Sequence, residues 1–427
     1  MWTTIRSVAS LLLSYGLLLL ANGMFNTLLG LRSKLEGFST EITGVILSAY
    51  FVGMLVGAMN AAKFVARAGH IRSFAAFASI MSVAVLAHLL VINPLVWLIL
   101  RAVCGFCMAG MVMIVESWLN ERSNNDNRGR VLSLYMITSY MGAGLGQFVL
   151  TVADPASFEL FSIASIIFSI ALVPILMTRA TAPKPAAPER MSMRDLYKIS
   201  PVAVIGIFSA GLSNGSVNTM APVFAKSMGL ELGEISTFMA CLLLGGMLLQ
   251  FPVGRLSDRF DRRMILILVT ISTAAAAFAI NWASLQNNSL FLFSAALCYG
   301  AIAYTIYPMS SAQANDLADK DRLVQVSGGI LFAYGLGASL GPIASSQAMG
   351  QFGPEAMFYL IAGNTSLLAI FVLFRIFRRP SGTQKARFVP VGGLGASSKQ
   401  LYTSVQETFR RKRRKNGASS SQELHPK

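Results

Sequence analysis

Charge is scarce in this chain, and acid is scarcer still. Of its 427 residues, 13% are charged, where a soluble domain carries roughly 25%. With 54% hydrophobic residues and a mean hydropathy of +0.59, that shortage excludes an ordinary soluble globule. Asp and Glu number 19 against 35 Lys and Arg, a net charge of +16. In a soluble protein this balance would suggest a nucleic-acid partner. In a membrane protein it reflects Lys and Arg kept on the cytoplasmic side. The placement of the charges has to decide.

Other absences narrow the function. Of the four cysteines, Cys104 and Cys107 have CxxC spacing, but no second pair follows, so no metal ligand set is expected. Cys241 and Cys298 lie in apolar runs like the first two, and all four read as small packing residues. No paired carboxylates, His cluster, nucleophile elbow or phosphate loop is present, so an enzyme is not expected. No G-x-x-x-x-G-K-[ST] occurs, which excludes a nucleotide-driven pump within this chain. No cofactor is expected beyond a coupling proton.

What is abundant is apolar sequence. Segments of about 20 residues, enough to span roughly 30 Å of hydrocarbon, follow one another with short breaks. They are Val8–Leu31, Ile42–Phe64, Ile71–Ile92, Val96–Leu119, Val131–Val152, Phe158–Thr178, Val202–Phe224, Ile235–Val253, Met264–Ala283, Leu290–Ser311, Val324–Ala348 and Ala356–Phe377. The first follows Arg6 as a signal peptide would, but its length predicts a spanning helix. Only helices satisfy their own backbone in an open bundle across a bilayer, so an all-α membrane protein with twelve transmembrane helices is predicted.

Residues 179–200 hold Pro183, Pro185 and Pro188 among charges and read as a linker between residues 1–178 and 201–378. From 379 to 427 the chain is polar and basic, with the run Arg410 to Lys415, and disorder is expected apart from a short amphipathic helix near Leu401–Phe409. With the N-terminus inside, the inner breaks hold the clusters around Lys63 to Arg72, Arg122 to Arg130, Arg179 to Lys198, Arg255 to Arg263, and Lys320 with Arg322. The outer breaks hold only Arg32, Lys34 and Lys226. This bias places both termini in the cytoplasm of a multi-pass inner-membrane protein. It also explains most of the net charge without nucleic acid. The basic tail fits anionic lipid headgroups, with RNA or DNA as the other reading.

An internal repeat runs through the spans. Asn22-Gly23-Met24-Phe25-Asn26-Thr27 returns 192 residues later as Asn214-Gly215-Ser216-Val217-Asn218-Thr219. Glu41-Ile42 returns as Glu234-Ile235, Ala66-Arg67 as Asp258-Arg259, and Arg130-Val131 as Arg322-Leu323. Two parallel six-helix halves follow, and in such folds substrates bind between the halves near the midplane.

Gly254-Arg255-Leu256-Ser257-Asp258-Arg259-Phe260-Asp261-Arg262-Arg263 resembles the G-x-x-x-D-R-x-G-R-R loop of the major facilitator superfamily, with Asp261 at the usual second Gly. In the equivalent loop of the first half Ala66 stands at the family's Asp, although Arg67 and Gly69 remain. Arg101 to Gly105 resembles the R-x-x-x-G signature of helix four. Glu116 with Arg128-Gly129-Arg130 resembles the acid and R-G-R pair at the next turn. Val115-Glu116-Ser117, Gln250 to Leu256 and Tyr307-Pro308 resemble the YcaD-type branch of bacterial permeases. The resemblance covers Val8 to Phe377 and implies transport by alternating access.

Polar residues within a bilayer are costly unless paired or facing water, so each is a candidate. Asn22 and Asn26 share one helix face, as do Asn214 and Asn218. If the halves face each other, four amides point into one cavity. Amides donate and accept, which suits a neutral polar or zwitterionic solute. The other reading is that they bond one another and hold helices together. Gln147, Gln250, Tyr304 and Tyr307 join the candidate cavity. Arg101 is the only Lys or Arg deep in a predicted helix. It is either an anion-attracting or proton-linked group, or an arginine that snorkels outward or bonds backbone carbonyls.

Glu116 lies 15 residues from Arg101, about 22 Å along the axis, so the two cannot pair. Arg128 or Arg130 is its expected partner in a cytoplasmic gate latch. Arg67, Asp258, Arg259 and Arg262 complete the expected gate. Glu41 and Glu234 suit helix N-termini and no more. No carboxylate sits mid-span in the first, seventh, tenth or eleventh segment, so a coupling proton would have to use Glu116, His88 or an unusual route. The expected function is secondary transport of a small solute by a monomer. The alternative is a non-transporting receptor or scaffold that docks partners through the basic tail.

Overall fold

The computed structural model describes residues 2–123, 128–177, 192–286, 288–319 and 322–378. The expectations for the tail, and for the linker before residue 192, lie outside the described residues. Among the described residues the chain is helical throughout, with twelve spans where the apolar segments lie. We label them α1 (Trp2–Leu35), α2 (Thr40–Ala68), α3 (His70–Leu90), α4 (Pro94–Glu121), α5 (Arg128–Val149) and α6 (Glu159–Leu176) in the first half. The second half holds α7 (Pro201–Ser227), α8 (Leu232–Arg259), α9 (Arg262–Ser284), α10 (Ser289–Leu317), α11 (Leu323–Phe352) and α12 (Ala356–Arg378). By length and apolar content alone ten of these cross a bilayer. The number rises to eleven when α7 is joined to the short helix Met193–Ile199, which meets it at 119°.

The boundaries follow capping chemistry. Ser39, Asn93, Ser200, Asp261 and Asn288 each accept a hydrogen bond from a backbone N–H of the turn they begin, which satisfies groups a helix cannot satisfy itself. Glu231 and Glu234 form a reciprocal capping box at the start of α8.

Three of the twelve spans are not continuous. α6 breaks at Ala171, α8 between Gly245 and Gln250, and α10 at Tyr304 and Thr305. Each break falls at or beside the residue four before a proline: Ile170 for Pro174, Leu248 for Pro252, Tyr304 for Pro308. A proline removes its own N–H and its ring collides with that carbonyl, so the helix yields there. Pro222 and Pro342, by contrast, sit inside unbroken helices.

Packing reproduces the repeat. In the first half α1 packs on α5, α2 on α4 and α3 on α6; in the second, α7 on α11, α8 on α10 and α9 on α12. The halves meet along α2 with α11, α5 with α8, and α1 with α7. Close crossings need glycine. An added Cβ at Gly53 or Gly105 would overlap the carbonyl of Ala102 or Tyr50, and at Gly245 or Gly300 that of Leu297 or Leu242.

At the end of the bundle where α1 finishes, the halves touch. Lys34 donates to Ser227, Gly44 lies against Ser346 and Pro342, Gly30 against Thr219, and Gly350 against Glu41. At the other end Arg67, Arg130 and Arg259 are exposed.

Candidate functional site

The repeated asparagines lie where α1 and α7 face the interior, and each is fixed by its own half. Asn22 Oδ1 accepts from Tyr50 Oη of α2 at 3.0 Å. Asn26 Oδ1 accepts from Arg101 Nη2 of α4 at 2.7 Å. In the second half Asn214 Nδ2 donates to Tyr334 Oη of α11 at 3.4 Å, and Asn218 Oδ1 accepts from Tyr304 Oη of α10 at 2.6 Å. None of the four bonds another, and each bonds a neighbouring helix of its own half. Each uses one amide atom on a phenol or guanidinium. Its other amide atom is neither fully buried nor bonded to a described residue.

Between the halves stands an aromatic and amide belt. Gln250 Nε2 of α8 donates to Tyr140 Oη of α5. The Tyr140 ring meets Tyr304 edge-on at 6.1 Å, and Tyr307 meets Tyr334 at 4.9 Å. The break in α10 presents Tyr304 here, and the break in α8 lets Gln250 reach across. Gln147 is different. Its Oε1 accepts from Thr27 at 2.7 Å and its Nε2 donates to the Ala143 carbonyl at 3.2 Å, both inside the first half.

Arg101 neither snorkels nor bonds backbone carbonyls. It is fully buried, its guanidinium 4.4 Å from the centre of the Tyr50 ring and 5.7 Å from that of Phe25. Its Nε and Nη1 are buried without hydrogen-bond partners.

The gate groups divide. Arg262, 2% exposed, holds Asp316 at 2.7 Å and Asp258 at 3.3 Å, with Ser257 Oγ accepting at 3.0 Å. Asp258 therefore works with Arg262 one turn on, while Arg259 points to solvent. Asp316 escaped the sequence reading, although an acid closing an apolar span was its signal. Glu116 is buried and accepts from Tyr135 Oη at 2.6 Å, a partner the sequence did not suggest. Tyr15 Oη donates to Tyr135 Oη at 3.0 Å, and Ser139 donates to Tyr15 at 3.1 Å. The expected partner Arg130 is exposed, and the side chain of Arg128 lies outside the described residues.

A family model described as the Major Facilitator Superfamily matches residues 11–328 and 203–415. The chain belongs to the major facilitator superfamily. It is 30% identical over 380 residues to the MFS-type transporter YcaD of Escherichia coli O17:K52:H18, covering 88% of this chain and 97% of that one. The YcaD of Shigella flexneri matches at the same identity and coverage. These relatives make the chain a YcaD-type permease and a secondary transporter, and do not favour a docking scaffold. The fold is similar to that of the nucleoside transporter NupG, with a TM-score of 0.74 at 14% identity over 87% of this chain and 99% of that one. It is also similar to a bacterial homologue of the human lysosomal transporter Spinster in an inward-facing, unoccupied conformation, with a TM-score of 0.64 at 14% identity over 94% of this chain and 98% of that one. The amide and tyrosine belt lies along the contact between the two halves.

Proposed function

We propose that this transporter carries a small polar solute through the inner membrane, and that the solute is held between the halves by the free amide atoms of Asn22, Asn26, Asn214 and Asn218. One observation carries the reading. Each asparagine is oriented through one amide atom by Tyr50, Arg101, Tyr334 or Tyr304, and its second amide atom remains available. That leaves Nδ2 donors on Asn22, Asn26 and Asn218 and an Oδ1 acceptor on Asn214, a set suited to a neutral polar or zwitterionic molecule. Tyrosine rings supply apolar walls, as small-molecule sites need.

The charge bias supports placing the arginine-rich end in the cytoplasm, so that the end where Lys34 meets Ser227 faces outward. Arg262 with Asp258 and Asp316, and Glu116 with Tyr135, are the gate groups whose contacts must rearrange when the inner end closes. Such groups set the balance of the two states and make no bonds with the solute.

Ligand-induced thermal shifts on purified protein test the reading, with sugars, amino acids, carboxylates and lipophilic cations as the screen and Asn26→Leu/Asn218→Leu as the control. A compound class that stabilises wild type and not the double mutant is the expected result. Equal stabilisation of both would show that the asparagines do not hold the solute.

A further inference from the structure

Arg101 presents a problem that the bundle itself does not solve. A guanidinium carries five N–H donors, and a buried charge is costly unless paired. Arg101 is fully buried, yet only Nη2 has a hydrogen-bond partner, the neutral Asn26. It pairs with no carboxylate of the described residues, and Nε and Nη1 have no acceptor. The faces of Tyr50 and Phe25 offset part of its charge, but they give Nε and Nη1 no oxygen or nitrogen acceptor.

A second orphan lies beside it. His88 of α3 is fully buried and its Nδ1 lies 2.7 Å from the Ala84 carbonyl. That bond makes Nδ1 the protonated nitrogen in the neutral ring. Its Nε2 is buried with no partner. The His88 ring meets Phe25 edge-on at 5.4 Å, and the Arg101 guanidinium lies 5.7 Å from the centre of the same ring. Trp97 closes the other side of His88 at 5.5 Å and donates Nε1 to the His88 carbonyl. In the neutral ring Nε2 is an acceptor, so His88 offers an anion no donor, and the half-buried Asn26 joins the two bare guanidinium nitrogens to the space between the halves.

We propose that Arg101, with Asn26, forms a binding site for a small anion of the carboxylate type. The site rests on the preceding reading only for its route of access, past Asn26. Its occupant is either the carboxylate of the transported solute or a free inorganic anion resident in the first half. With an anion bound, Nε and Nη1 gain acceptors and the buried charge is paired.

Purified protein is titrated with sodium acetate, glycine or sodium chloride at constant ionic strength, balanced with sodium HEPES, and the unfolding midpoint is followed. Wild type is expected to gain a few degrees in a saturable way with at least one of the three. Arg101→Gln should abolish the gain. Arg101→Lys keeps the charge but loses donors, and should need about tenfold more anion for half the effect. Acetate or glycine acting more strongly than chloride identifies the solute's carboxylate as the occupant. Chloride alone acting identifies a resident inorganic anion. Absence of any saturable gain in wild type overturns the site, as does an undiminished gain in Arg101→Gln and Arg101→Lys, and the wild-type result decides if the variants do not fold. Asn218→Leu separates this inference from the between-halves reading: an anion effect that survives there, while no solute depends on Asn218, leaves the Arg101 site standing and removes the amide site.

Discussion

Tyr304 and Tyr135 show how a neutral ring sets a polar group within the membrane. Tyr304 Oη fixes Asn218 Oδ1 and so turns the amide Nδ2 toward the interior. Tyr304→Phe leaves that amide free to rotate. Its expected result is a roughly tenfold weaker apparent affinity for the solute, the loss of one oriented hydrogen bond, with maximal transport rate little changed; uptake kinetics in proteoliposomes would show it. Tyr135 plays the same part for Glu116. Glu116→Gln still offers an acceptor, whereas Glu116→Leu leaves the buried Tyr135 hydroxyl without one and should cost about 1–3 kcal/mol more. Equal melting points for the two variants would contradict this account. The asparagines and Glu116 were legible from one sequence because amides and acids stand out in apolar runs. Of their tyrosine partners Tyr304 also stood out, beside a proline four residues on, but Tyr50 and Tyr135 did not. Tyr50 and Tyr135 are ordinary residues of apolar helices, and their facing depends on how α2 and α5 rotate against α1 and α4, which spacing alone does not fix.

Among the elements, prolines separate the continuous spans from the broken ones. The twelve spans were readable because about 20 apolar residues have one stable conformation in a bilayer. The breaks were readable in principle from Pro174, Pro252 and Pro308, but Pro222 and Pro342 lie in helices that continue, so proline alone does not decide. In α10 the break presents Tyr304 to Asn218 and Tyr140. Pro308→Ala restores an N–H and removes the ring clash, a local gain of up to about 3 kcal/mol. The expected outcome is a higher melting temperature with slower transport, because a straight α10 withdraws Tyr304 from the belt. Faster transport at unchanged stability would show that the break is incidental. The opposite sign is expected at the α2–α4 crossing. Gly53→Ala sets a methyl against the Ala102 carbonyl and should destabilise by about 1–3 kcal/mol, measured by thermal unfolding.

Across the whole molecule the two halves share a fold but not their inner ends. In the second half Arg262 binds Asp258 and Asp316. In the first, Ala66 replaces the acid, and His70, 192 residues before Arg262, stacks on Trp118 at 6.2 Å. The halves therefore respond differently at that end. Asp316→Asn removes the nearer partner of a buried cation and should cost about 3 kcal/mol, with little rescue by salt because the group is shielded from it.

At the opposite end closure depends on shape rather than charge. Gly44 lets α2 lie against α11, where an added Cβ would overlap the Ser346 side chain and approach the Pro342 carbonyl to 2.7 Å. A Gly44→Ala substitution therefore penalises the state in which this end is shut, while leaving the packing within each half intact. A transporter that must visit both states shifts toward the other one by that penalty. Spin labels at Lys34→Cys and Ser227→Cys, whose native side chains bond across the same end, should move apart in the Gly44→Ala background, and transport should fall. Adding Ser346→Gly removes the overlapping side chain and should bring the labels back together and recover most of the transport. If the label distance and the transport rate are unchanged by Gly44→Ala, contact between α2 and α11 does not govern this end, and the control of access must lie with Lys34 and the α1–α7 contact instead.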